Sequence, residues 1–155
     1  MFSNLFKKTY KMISFEDLQF ALKYPGDFLI INTLSIGEQD CLIKNTMPYD
    51  LEEKTINELL YQYDINARRI IVYGKNACDK TVETKCDQLL ALGFKSVYIY
   101  PGGLFEWLLL QDIYGTDEFP TTKRVLDILK YKPDRNFGGR LLMNGFWKSV
   151  YITPL

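Results

Sequence analysis

The 155-residue sequence predicts an α/β domain with a central, mostly parallel sheet flanked by helices over residues 1–120, followed by a C-terminal extension over 121–155. Two observations carry this. Short apolar runs rich in β-branched residues (FLIINT, RIIVY, SVYIY) alternate with segments of helical periodicity, and Pro25-Gly26, Gly93 and Gly115 punctuate them. The order strand, helix, strand, helix, strand, helix is what right-handed parallel crossovers produce.

The elements follow in chain order. Ser14-Phe15-Glu16-Asp17 resembles a capping box with Asp in place of Glu, and it opens a helix over 15–23 with Phe15, Leu18, Ala21 and Leu22 on one face. Residues 28–33 form a strand buried on both faces, because the apolar run does not alternate. A helix over 51–63 places Ile56, Leu59, Leu60 and Tyr63 on one side, and 69–73 is a second buried strand. A helix over 81–92 stops at Gly93, 96–100 is the third strand, and a helix over 104–113 stops at Gly115. In the extension, Val125, Leu126, Ile128 and Leu129 among Lys123, Arg124, Lys130 and Lys132 predict an amphipathic helix over 122–132, ended by Pro133. Phe137-Gly138-Gly139 and Asn144-Gly145 are turn signals, and 148–152 alternates as a short edge strand does.

Composition narrows the function classes. Hydrophobic residues make up 47% and charged residues 25%, as in one globular domain. Histidine is absent, which removes the commonest general base, the Ser-His and Cys-His pairs and the usual ligands of catalytic metals. Cys41, Cys78 and Cys86 form no C-x-x-C pair, so neither a metal site nor a cofactor is expected. Glu52-Glu53 and Asp117-Glu118 sit at a helix start and in a turn and read as solvated charge. No apolar run approaches the ~18 residues of a membrane span. MFSNLFKKTYK has no continuous apolar segment of signal-peptide type, so a cytoplasmic, reducing location without membrane attachment is expected.

The 19 basic and 19 acidic residues balance overall but not along the chain: residues 1–120 hold 12 basic and 17 acidic side chains, and 121–155 hold 7 and 2. The basic end also carries Phe137, Phe146, Trp147 and Tyr151. A nucleic-acid surface would need those cations on one exposed face. A protein-interaction tail would instead use Phe146, Trp147 and Tyr151 as aromatic anchors, and a protein partner or self-association is the expectation ahead of nucleic acid.

Ligands of parallel sheets bind where strands lead into helices. The segment between the second strand and the helix at 81 holds Gly74, Lys75, Asn76, Ala77, Cys78, Asp79 and Lys80, with Asp79 or Thr81 as the helix N-cap. Consecutive N–H groups turning into a helix make a cradle for a small oxyanion, with Lys75 or Lys80 supplying charge. Lone thiols near a helix start can be activated, which makes Cys78 a candidate nucleophile, although Asp79 beside it acts the other way.

Around this loop the sequence resembles the rhodanese-like family of sulfurtransferase domains. Val72-Tyr73 ends a strand before the loop, Leu92-Gly93-Phe94 precedes Val97-Tyr98, and Gly102-Gly103-Leu104-Phe105-Glu106-Trp107 is similar to the family's G-G-x-x-x-W. FLIINTLSIGEQ is similar to its first strand and the acidic residue after it, here Glu38. The resemblance covers roughly residues 12–115 and implies a rhodanese-like three-layer sandwich. It also locates a departure. Active members carry a nucleophilic cysteine directly after the strand in a loop close to C-x-x-G-x-R-[ST]; here Gly74 stands first, and no arginine occurs between Arg69 and Arg124. Asn32-Thr33-Leu34 replaces the usual Asp-Val-Arg.

The expectation is therefore a catalytically inactive rhodanese-like domain that serves as a protein-interaction or anion-binding module, or as a component of a larger assembly. The alternative is a sulfurtransferase or other thiol-dependent enzyme using Cys78. In its Ile, Lys, Asn and Tyr usage the chain also looks like the stand-alone rhodanese-like proteins of large DNA viruses, which would place it in host cytoplasm or virion.

Overall fold

The computed structural model describes residues 8–138 and the backbone of 140–143 and 146–149. Among the described residues six strands and four α-helices follow in the order β1 (Lys11–Met12), α1 (Phe15–Leu22), β2 (Phe28–Asn32), α2 (Tyr49–Tyr61), β3 (Arg69–Tyr73), α3 (Thr81–Ala91), β4 (Val97–Tyr100), α4 (Gly103–Tyr114), β5 (Arg140–Met143) and β6 (Phe146–Ser149). The first four strands form one parallel sheet in the order β1-β4-β3-β2. Ile30, Ile71 and Tyr98 share one row of this sheet. Beyond β2 a single parallel bridge, Ile30 to Thr46, continues the sheet edge, and Met47 N–H donates to the Ile30 carbonyl at 2.7 Å.

The lack of alternation in FLIIN and RIIVY is explained by cover on both faces. On one face Phe28, Ile30, Ile71, Tyr73 and Tyr100 pack with Leu18 and Ala21 of α1 and Leu104, Trp107 and Leu108 of α4. On the other, Leu29, Ile31, Ile70, Val72, Val97 and Ile99 pack with Ile56 of α2 and Val82, Cys86 and Leu89 of α3. The result is the expected three-layer α/β sandwich. The capping box also forms, with Ser14 accepting from Asp17 N–H at 3.2 Å and Asp17 accepting from Ser14 N–H at 3.1 Å. Among the described residues no helix is long and apolar enough to cross a membrane.

Three expectations need correction. Strand β1 has two exposed residues and no pattern of its own, so periodicity misses it. Helix α2 starts two residues early, directly after Pro48, whose fixed φ suits a helix start. The helix expected over 122–132 does not form; only a 3₁₀ turn appears, at Ile128–Tyr131. The backbone there is already committed to tertiary bonds: Thr122 N–H donates to the Leu42 carbonyl at 2.8 Å, and the Lys123 carbonyl accepts from the Cys41 thiol at 3.1 Å. Leu126 is left 91% exposed, whereas Tyr131 is 2% exposed and joins the first core cluster. Val125, Ile128 and Tyr131 of the extension thus pack on the α/β body. In the hairpin that follows, β5 and β6 pair antiparallel with Met143 opposite Phe146, so a strand begins two residues before the expected one at 148.

A loop that carries its own anion

Tyr73 is the last residue of the central strand, Gly74 the first of the loop, and Thr81 the first of α3. Residues 74–81 form one wall of an open cleft of ≈ 880 Å³ at the carboxyl end of the sheet. Thr33, Leu34, Ser35 and Glu38 supply the opposite wall, and Lys132, Asp134 and Asn136 close one end.

The cradle expected for an external oxyanion is filled from within. Asp79 turns its carboxylate back across the loop, where Oδ2 accepts the Lys75 N–H at 2.9 Å and Oδ1 accepts the Thr81 N–H at 3.0 Å and the Thr81 hydroxyl at 2.6 Å. The N-cap position is neither expected residue but Lys80, whose side chain makes no cap bond; Asp79, one residue earlier, nonetheless satisfies the Thr81 N–H at the start of α3, and its charge lies where the helix dipole favours it. Two further N–H groups are used inside the loop, Cys78 donating to Asn76 Oδ1 at 2.9 Å and Asp79 to the Asn76 carbonyl at 3.2 Å.

Gly74 makes room for this. A Cβ at Gly74 would lie 2.6 Å from Asp79 Oδ2 and 2.5 Å from Val82 Cγ2, closer than side chains pack. The carboxylate therefore occupies the space into which a side chain at position 74 would project.

The Gly102-Gly103 motif acts on the same loop. Gly103 has φ +66°, and a Cβ there would meet the Gly74 carbonyl at 2.7 Å. Without a side chain, α4 begins close enough for Leu104 N–H to donate to the Gly74 carbonyl at 2.9 Å and Phe105 N–H to the Lys75 carbonyl at 3.0 Å. Trp107, fully buried, fixes the helix by donating Nε1–H to the Pro120 carbonyl at 3.1 Å. Asn76, itself buried, donates Nδ2–H to the Tyr131 carbonyl at 3.0 Å and so ties the loop to the extension. Neither the Asp79 reach to Lys75 nor the Asn76 tie was visible in the sequence, since each depends on loop curvature or on a partner 55 residues away.

One ion pair spans the cleft. Lys75 Nζ lies 3.0 Å from Glu38, so the acidic residue after the first strand neutralises one cation considered for the cradle. That ammonium group, and the Ser35 hydroxyl, hold the Glu38 carboxyl below its ordinary value. Cys78 is exposed on the cleft, while Cys41 and Cys86 are buried and burial pushes both thiols up. Ala77 and Lys80 are exposed. Among the described residues no three side chains of metal-ligand type cluster. The side chains of Phe146 and Trp147, and all of Tyr151, lie outside the described residues.

Neither a family description nor a curated protein matches the sequence. Solved structures do match. A yeast structure, Ygr203w, described as a protein tyrosine phosphatase of the rhodanese family, superposes with a TM-score of 0.54 at 16% identity, over 79% of this chain and 99% of the other. A second structure of Ygr203w from Saccharomyces cerevisiae, described as a homolog of single-domain rhodanese and of the Cdc25 phosphatase catalytic domain, gives 0.56 at 16% identity over 77% and 91%. The chain therefore has the rhodanese-like fold, a four-stranded parallel sheet between two helical layers with its strand-to-helix loop in the cleft at the carboxyl end.

Proposed function

We propose that this rhodanese-like domain has no sulfurtransfer nucleophile and works as a protein-interaction module. The observation that supports this best is the coupled pair Gly74 and Asp79. The first loop residue, where the family resemblance implies a cysteine, has no side chain, and the Asp79 carboxylate fills the adjoining space while accepting the Lys75 and Thr81 N–H groups. A persulfide has no atom to form on there, and the Lys75, Cys78, Asp79 and Thr81 N–H groups of the loop already have acceptors within it. Cys78 does not replace it in this reading, because its own N–H is turned to Asn76 and the carboxylate of Asp79 lies between the loop's donors and any anion near it.

The test is chemical. The protein is incubated with thiosulfate and then cyanide, with intact mass and thiocyanate followed in wild type and Cys78→Ser. The expected result is no added sulfur atom and no turnover above the variant. Turnover abolished by Cys78→Ser would replace this reading with a displaced nucleophile. Millimolar phosphate should also leave the amide resonances of residues 75–81 in place in wild type and move them in Asp79→Ala, where the donors are freed.

A further inference from the structure

At the other end of the sheet, where β2 and β3 begin, a second groove of ≈ 490 Å³ opens between α1 and the sheet. Its floor is Phe28, Ile71 and Tyr98, and its rim holds Phe20 and Met12, which are 51% and 56% exposed. Exposed aromatic and thioether side chains beside an apolar floor are the composition of an interface core rather than of ordinary surface.

The charge on the floor is what sets the chemistry. The Arg69 guanidinium lies over the Phe28 ring, 4.7 Å from its centroid, and makes no hydrogen bond or ion pair with any described residue. One acid, Asp17, shares the groove wall; its Oδ2 is held by the Ser14 N–H and the Ser14 hydroxyl of the helix cap, and it forms no ion pair with Arg69. A second cation, Lys11, sits at the edge, 5.6 Å from the Tyr98 ring centroid. With Arg69 and Lys11 against the single carboxylate of Asp17, the groove presents an apolar floor beside a net positive rim, and a planar guanidinium already stacked on a ring suits a carboxylate.

We propose that this groove docks a segment of a partner protein in which an aromatic or aliphatic side chain stands next to an Asp or Glu. The side chain seats on Phe28, Ile71 and Tyr98, and the carboxylate meets Arg69. This rests on the interaction-module reading and names the surface involved, at the end of the sheet opposite the residue 74–81 loop.

The full chain, ¹⁵N-labelled, is titrated with two probes that differ only in charge, N-acetyl-Phe-Glu-amide and N-acetyl-Phe-Gln-amide. The Glu probe should move the amides of Phe20, Arg69, Ile71 and Tyr98 and bind about two- to fivefold tighter than the Gln probe, the ratio an exposed charge pair gives. Arg69→Gln should abolish that ratio and keep the weaker apolar binding, and Phe20→Ser should weaken both probes. Equal affinity for the two probes, no shifts, or shifts at residues 74–81 instead would overturn the proposal. So would self-association of the wild type that Arg69→Gln dissolves, since the occupant would then be a second copy. Failure here with sulfurtransfer still absent removes only the groove; sulfurtransfer through Cys78 removes the module reading, whatever the probes do.

Discussion

Gly74→Cys restores the side chain that the family resemblance implies, and the structure gives the cost. Gly74 does not have a positive φ, so the backbone accepts a cysteine and the difficulty is space. The new Cβ would stand 2.6 Å from Asp79 Oδ2 and 2.5 Å from Val82 Cγ2. Moving Val82 aside is an overpacking cost of about 1–3 kcal/mol. Expelling the carboxylate gives up hydrogen bonds to a charged acceptor, which are worth about 1.5–3 kcal/mol each before water recovers part of them at this half-exposed site. A net destabilisation of about 2–4 kcal/mol is expected. Asp79→Ala alone, which frees the Lys75 and Thr81 N–H groups, should cost about 1–2 kcal/mol at this half-exposed site. In the double variant the clash with the carboxylate is gone, so its cost should fall short of the sum by about 1 kcal/mol or more. Urea denaturation of the four proteins reads the cycle directly. Additivity within about 0.5 kcal/mol would refute the claim that Gly74 and Asp79 share one space.

Other outcomes follow from the same structure. Tyr73→Phe should destabilise the domain by about 1–3 kcal/mol in chemical denaturation, because it strands the buried Ile43 N–H that the Tyr73 hydroxyl accepts at 3.1 Å. Glu38, held below the ordinary carboxyl value by Lys75, contributes stability that is present above its unfolded pKa and lost as pH falls through the folded one. In Lys75→Met, carboxyl titration followed by ¹³C NMR should move up toward the ordinary value; an unchanged midpoint would show the pairing to be idle. Alkylation at neutral pH should modify exposed Cys78 first and reach buried Cys41 and Cys86 only on unfolding. A chain ending at residue 138 should fold, and one ending at 120 should not, because the latter lacks Tyr131 and the bonds of Thr122 and Lys123 to residues 41 and 42; a cooperative melt of the shorter chain would contradict this.

The parts of this fold that sequence periodicity reveals are those whose burial is set locally. FLIIN and RIIVY have no polar face because both sides of the sheet are covered, and Ser14 with Asp17 forms its cap within one turn. The Gly-Gly-x-x-x-Trp element was legible as a pattern, and its reason is steric: only glycine at 103 lets α4 approach the Gly74 carbonyl. The misread region, 122–132, has good helical spacing, but its backbone groups bond across to residues 41 and 42, and spacing along a chain does not report on partners 80 residues away. At the loop, the absence of a cysteine from position 74 could be read directly. That Asp79 fills the space could not, because the same residue already had a sufficient local reason as a helix cap.

The tie between Asn76 and the Tyr131 carbonyl also bears on synthesis. The parallel sheet, all four helices and the whole 74–80 loop precede residue 131 in the chain, so a product cut short there would hold a sandwich whose loop is missing one bond and whose core lacks one tyrosine. Until Tyr131 docks, the core cluster that holds Tyr73, Trp107 and Phe119 is one member short, and non-local closure of this kind is the slow, aggregation-exposed stage of folding. The geometry at the carboxyl end of the sheet is therefore settled last, and a stalled or truncated product would present it in an unfinished form that the full-length chain does not.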